Sequence, residues 1–135
     1  MCVPRMFRIM KKDDEDRPVV GYGFCELGVR EIERDVDENG NVIPNDKGMS
    51  VSPEWRDISI FVIPRRLRAG GRGKPSGYCF RRGEGPFQQV ACGNGLELVP
   101  TSDTHGVLRP LELAPLNEFL QNLANTRDEW VVDES

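Results

Sequence analysis

This sequence of 135 residues predicts an α+β domain: a strongly bent, mostly antiparallel sheet of short strands with an amphipathic C-terminal helix. Three observations lead there. Its strand-forming runs are brief and separated by glycine, proline and asparagine, the pattern of short strands with tight connections. Only one segment, Leu116–Ala124, repeats apolar residues at helical spacing. The length fits one domain of ordinary size, able to bury roughly two-thirds of its unfolded surface.

In chain order, residues 5–11 read as a strand, and Asp13-Asp14-Glu15-Asp16 as a solvated turn. Val19–Cys25 reads as a short strand whose Gly21 and Gly23 permit close backbone approach. Val29–Asp37 and Val42-Ile43 form the arms of a hairpin turning at Asn39-Gly40, the strongest short-range signal for a reversal. Met49–Ser52 is a short alternating strand. Ile58–Ile63 is apolar on both faces and rich in β-branched residues, the signature of a central strand ended by Pro64. Residues 69–77 hold four glycines and a proline, which predicts a mobile loop. Tyr78–Phe80, Phe87–Ala91 and Leu96–Val99 are further strands, and Thr101–Pro110 is a polar connection. In the helix, Leu116, Phe119, Leu120, Leu123 and Ala124 make one apolar stripe, and Pro115 suits its first turn. Trp130-Val131-Val132 then packs back on the body.

Composition narrows the function classes. With 38% hydrophobic and 30% charged residues, most of the chain has the makings of a core rather than of disorder. No apolar run approaches the ~20 residues of a membrane helix. The start, Met1 to Arg5, lacks the apolar core of a signal peptide, so the expectation is a cytoplasmic protein. Cys2, Cys25, Cys79 and Cys92 form no Cys-x-x-Cys pair and there is a single histidine, so no metal site is expected and the thiols are free. The net charge of −4 hides a basic stretch, Arg65 to Arg82, with seven basic residues and no acid. Such a stretch in an acidic chain points to a local anion site. Only Tyr78 and Phe80 accompany it, which weighs against nucleic acid.

Four features carry candidate chemistry. Arg8 stands in an otherwise apolar strand between Met6 and Met10, where a guanidinium needs a carboxylate or phosphate partner. Ser50 and Ser52 share one face of their strand and can orient a ribose or a carboxylate by paired hydrogen bonds. The loop Gly70-Gly71-Arg72-Gly73-Lys74-Pro75-Ser76-Gly77 is not a phosphate loop, because Arg68 stands at the first glycine position and Pro75 at the Ser/Thr position; it remains a basic flap. Asp103-Thr104-His105-Gly106 offers an acid–base histidine. Each also has a plainer reading: a salt bridge, a wet strand face, a solvated loop, a local hydrogen bond.

Taken together, a strand arginine followed by a Ser-x-Ser strand resembles the first two elements of ADP-ribosyltransferase active sites. More specifically, the chain is similar to a type VI secretion cytotoxin family with an ADP-ribosyltransferase-like fold. The matching stretches are Met6-Phe7-Arg8, Gly48-Met49-Ser50-Val51, Phe61-Val62-Ile63-Pro64 and a tail of Leu98, Asp103, His105, Val107, Pro110, Leu116, Phe119, Leu123, Arg127 and Trp130. The resemblance implies that Arg8, Ser50 and His105 line a cleft for NAD as substrate, with Ser52, Arg65 and Arg66 helping to bind it. It further implies a toxin, delivered by a secretion system without a cleaved signal, and an antitoxin or immunity partner. Two departures stand out: Gly106 follows the histidine where the family has an aromatic residue, and no Glu-x-Glu follows the serine strand. Glu84, Glu97, Glu112 and Glu118 are all candidates for a catalytic carboxylate. The competing expectation is a non-enzymatic module, one half of a toxin–antitoxin-like pair, contacting an acidic protein or RNA through residues 65–82.

Overall fold

The structure, a computed structural model, describes residues 3–23 and 25–134. Cys2 lies outside that range, as does Phe24 within the expected 19–25 strand.

Strand β1, Met6–Lys11, is buried on both sides: Met6 and Met10 join the larger core, while Phe7 and Ile9 join a second cluster with Cys25, Ile58, Ile63 and Cys79. Strands β2 (Asn41–Val42), β3 (Met49–Val51), β4 (Gly77–Arg82), β5 (Val90–Ala91), β6 (Leu96–Ser102), β7 (His105–Pro110) and β8 (Ala114–Pro115) follow. Helix α1 spans Leu116–Ala124 and β9 is Val131–Val132. Two antiparallel sheets dominate, in the orders β1-β4-β9 and β3-β7-β6-β5, with β2-β8 as a small third ladder. The two main sheets meet at one residue pair. Phe7 N–H donates to the Ser52 carbonyl at 2.7 Å and Ser52 N–H to the Phe7 carbonyl at 2.9 Å. Beyond that pair β1 and β3 share no further backbone bond among the described residues.

The helix stripe folds as its spacing predicts. Phe119 and Leu123 are buried and Leu116 and Leu120 are partly so, the two full burials contributing about 2 kcal/mol each. Pro115 lies just outside the helix, as its N-cap residue and the end of β8. Trp130 is fully buried, and its indole N–H donates to Thr126 Oγ1 at 3.0 Å.

Several expected elements differ. Ile58–Ile63 is a pair of tight turns, not a central strand: Val62 N–H and Ile63 N–H both donate to the Ser59 carbonyl, and the Ser59 hydroxyl accepts from Phe61 N–H. Ile58 and Ile63 are buried while Ile60 and Phe61 project outward. The serine side chain thus competes with the ladder for backbone groups, and only the ends of the run find a core. Among the described residues of 19–25 only Val20 forms a bridge, an isolated one to Leu27, and Cys25 stands at φ +60°. The first hairpin arm is shorter than expected, because Glu31–Glu33 forms a 3-10 turn; the reversal at Gly40 (φ +81°) is present. Thr101–Pro110 is not a loose connection. It completes the β6–β7 hairpin, whose turn is Asp103–Thr104. The glycine-rich loop is docked rather than loose: Arg72 N–H donates to the Ile60 carbonyl and Gly73 N–H to the Ile63 carbonyl.

Candidate functional site

A cavity of about 310 Å³ opens where β1 and β3 part. Its walls come from β1 (Phe7, Arg8, Ile9), the end of β3 (Ser50, Val51, Ser52), the Arg30–Glu33 turn, the Asp57–Val62 turns and the β6–β7 tip (Thr104, His105). The residues singled out on three separate strands, Arg8, Ser50, Ser52 and His105, therefore line one space. Arg65 and Arg66 do not line it. Arg66 is engaged elsewhere, donating to the carbonyls of Pro75 and Gly77 and pairing with Glu134 at 2.7 Å. Arg65 is exposed on the neighbouring turn.

Arg8 is the centre of the site. Its Nη1 donates to the Ser50 carbonyl at 2.8 Å and its Nη2 to the Glu26 carbonyl at 3.0 Å. It fills the gap left by the diverging strands and satisfies a β3 carbonyl there. Its Nε–H is buried without an acceptor, and no carboxylate pairs with it among the described residues. Burial pulls its pKa below the ordinary arginine value, against an opposing pull from Glu33. The guanidinium is thus held by neutral carbonyls, with no carboxylate beside it in hydrogen-bond contact among the described residues.

Glu33 was not among the carboxylates singled out from the sequence. Its side chain is only 12% exposed, and Oε1 accepts from the Arg30 backbone N–H at 2.9 Å and from Arg30 Nε at 3.2 Å. Its other oxygen accepts from the Ser50 hydroxyl at 3.4 Å. None of Glu84, Glu97, Glu112 and Glu118 reaches the cavity. The overlooked signal was Arg30-Glu31-Ile32-Glu33 itself: a Glu-x-Glu lies before the serine strand rather than after it, and the i, i+3 spacing lets Glu33 close the turn back onto Arg30. Asp57 is the second carboxylate at the wall.

His105 Nδ1 lies 2.7 Å from Thr101 Oγ1, and the Thr101 hydroxyl also lies within donating distance of the His105 carbonyl. With the hydroxyl proton on that carbonyl, Nδ1 carries a hydrogen and Nε2 keeps a lone pair. Burial holds the imidazole pKa below its ordinary value, only partly opposed by Glu33. The ring is therefore neutral at pH 7 and able to accept a proton. Asp103 is exposed in the turn and is not part of the wall. Gly106 leaves no room for the aromatic residue of the resembled family: a Cβ there would meet the Phe87 ring and the Val99 carbonyl.

The cavity thiol, Cys25, is pushed above its ordinary pKa by burial despite Arg8 nearby, so it is a protonated wall group rather than a nucleophile. Burial likewise pushes Cys79 up to about 12. Among the described residues no cluster of histidine, cysteine and carboxylate side chains is arranged to hold a metal ion, and no helix is long and apolar enough to cross a membrane. Compared with protein-family models, with curated proteins and with solved structures, the chain matches none.

Proposed function

We propose that this cavity binds a nicotinamide dinucleotide and cleaves its glycosidic bond, the chemistry of an ADP-ribosyltransferase-like toxin domain. The observation that carries the reading is the half-buried Arg8 guanidinium, held by backbone carbonyls and paired with no carboxylate among the described residues, in one cavity with two serines, a held glutamate and a neutral histidine. In this reading Arg8 faces a phosphate oxygen of the dinucleotide, and the Ser50 and Ser52 hydroxyls hold the nicotinamide ribose.

Breaking the C1′–N bond sends the electron pair out with nicotinamide and leaves positive charge on the ribose. Glu33, fixed by Arg30 and Ser50, supplies the stabilising negative charge without having to reorganise. The oxygen of water or of an acceptor then bonds to C1′, and His105 Nε2 takes its proton. The products are ADP-ribose, or an ADP-ribosylated acceptor, and nicotinamide. A domain that consumes this cofactor implies a neutralising antitoxin or immunity partner in the cell that makes it.

Calorimetric titration with the oxidised dinucleotide tests the reading. The wild type should bind, and Arg8→Ala should abolish binding while retaining a cooperative melt. A wild-type titration with no heat, or an Arg8→Ala variant that binds as well as wild type, would sink it.

The alternative of a binding module acting through residues 65–82 draws less support from the geometry. Arg81 pairs with Asp133 at 2.8 Å, Arg82 is buried against Glu129 at 2.9 Å, and Arg66 is tied to Glu134. Tyr78 is covered by Lys12 and Arg66, and Phe80 is fully buried. Three of that segment's seven cations and both of its aromatic rings are thus used inside the fold.

A further inference from the structure

The cations left over do not scatter. Arg56, Arg65, Arg68, Arg72 and Lys74 are exposed, and among the described residues none pairs with a carboxylate. They ride on segments knitted together by the backbone. Arg72 and Gly73 bond back to Ile60 and Ile63, Arg68 N–H donates to the Pro64 carbonyl, and the Arg68 guanidinium donates to the Arg56 carbonyl at 3.1 Å. At their edge stands Phe61, 63% exposed, with the Arg72 guanidinium 5.7 Å from its ring centroid. Arg56 lies in the same way over Trp55, at 5.3 Å. In sequence Phe61 precedes the basic stretch, so the pairing of aromatic face and cations exists only in the fold.

We propose that this surface, residues 55–74, binds single-stranded nucleic acid, with Phe61 stacking on a base and Arg56, Arg65, Arg72 and Lys74 following the phosphates. Charge selects a polyanion. The open ring selects a strand with unpaired bases, since a base offers a π-face that an acidic peptide lacks and a duplex keeps covered. The docking of the loop holds Arg72 beside the ring before the strand arrives, which lowers the ordering cost of binding. The proposal is independent of the dinucleotide reading, because none of Phe61, Arg65, Arg72 and Lys74 lines the cavity.

Fluorescence anisotropy with a labelled oligouridylate of about 12 nucleotides, within the span of common single-strand sites, tests it at low salt. The wild type should bind, with affinity falling as salt rises. Replacing Arg65, Arg72 and Lys74 together by alanine should flatten the salt slope by about 2, since each phosphate that a cation neutralises on a single strand contributes roughly 0.7. Phe61→Leu should weaken binding about five-fold or more with an unchanged salt slope. Absence of wild-type binding would overturn the proposal, as would equal binding of polyglutamate, equal binding of a duplex of the same length, or an unaltered affinity in Phe61→Leu. All these side chains are exposed, so the variants should keep the wild-type melting temperature; that melt, with the dinucleotide titration run alongside, separates this proposal from the cavity reading.

Discussion

At the scale of single residues, the site is governed by charges that the fold leaves unequal. Glu33 touches Arg30 and Ser50, and its field is felt at both Arg8 and His105. Because the chain has one histidine, its titration can be read without assignment. Burial is the larger influence on the ring, so His105 should titrate below 6.5 in the folded protein. Glu33→Gln removes the one group that raises it and should move it lower still. Proton NMR of the imidazole across pH 4–8 checks both; a wild-type value above 6.5, or an upward move in Glu33→Gln, would contradict the geometry. The sign follows from the cause: a desolvated base loses its proton earlier as pH rises, so any step that needs neutral His105 reaches half its full rate on the acid side of 6.5. Arg8 was legible from the sequence as the polar member of an apolar strand. Its partners were not, because the Ser50 and Glu26 carbonyls are backbone groups and carry no residue signature.

At the scale of elements, strands and helices with clean periods folded as read, and the surprises sit where local hydrogen bonds compete with the ladder. β1, β3 and α1 were legible because their apolar spacing is decisive. β7 was not, since His105, Gly106 and Thr104 look like a connection; burial of Gly106, Val107 and Leu108 shows that the strand begins at the histidine. Glu33 was hidden by reading 29–37 as strand, when Arg30 and Glu33 close a 3-10 turn over it. The docked loop depends on Gly73, where a Cβ would collide with the Val62 carbonyl. Gly73→Ala should therefore cost about 1–3 kcal/mol in urea unfolding, the usual range for a forced backbone clash. Gly70, with φ +84° and open space around it, carries only a conformational penalty and serves as the control. A Gly73→Ala variant no less stable than Gly70→Ala would show that the two loops are not locked together.

At the scale of the whole molecule, distant segments are fastened by charge. Asp13 pairs with Arg127, which also reaches Glu15, and Arg17 donates to the Asp128 and Trp130 carbonyls. Hydrogen bonding from Arg127 holds the Asp13 carboxyl below its ordinary 3.8. A depressed carboxylate stabilises the fold above its unfolded pKa and ceases to do so as pH falls through its folded one. Asp13→Asn should therefore be less stable than wild type near neutrality, with the difference starting to narrow below about pH 4; parallel melts at pH 7 and pH 3 would show it, and a gap as wide at pH 3 as at pH 7 would refute it. Antiparallel sheets of short strands were foreseeable from the brief strand-forming runs, while the seam between the two main ones was not, because a two-bond join between Phe7 and Ser52 has no periodicity to announce it. That seam joins the two sheets that carry the pocket's walls, Arg8 on one and Ser50 and His105 on the other. Behind it β1 sends Met6 and Met10 into one core and Phe7 and Ile9 into the other. A change at Met6, Met10 or Met49, none of them a wall residue, would alter the reach between Arg8 and His105 as turning a page alters the gap at a book's spine.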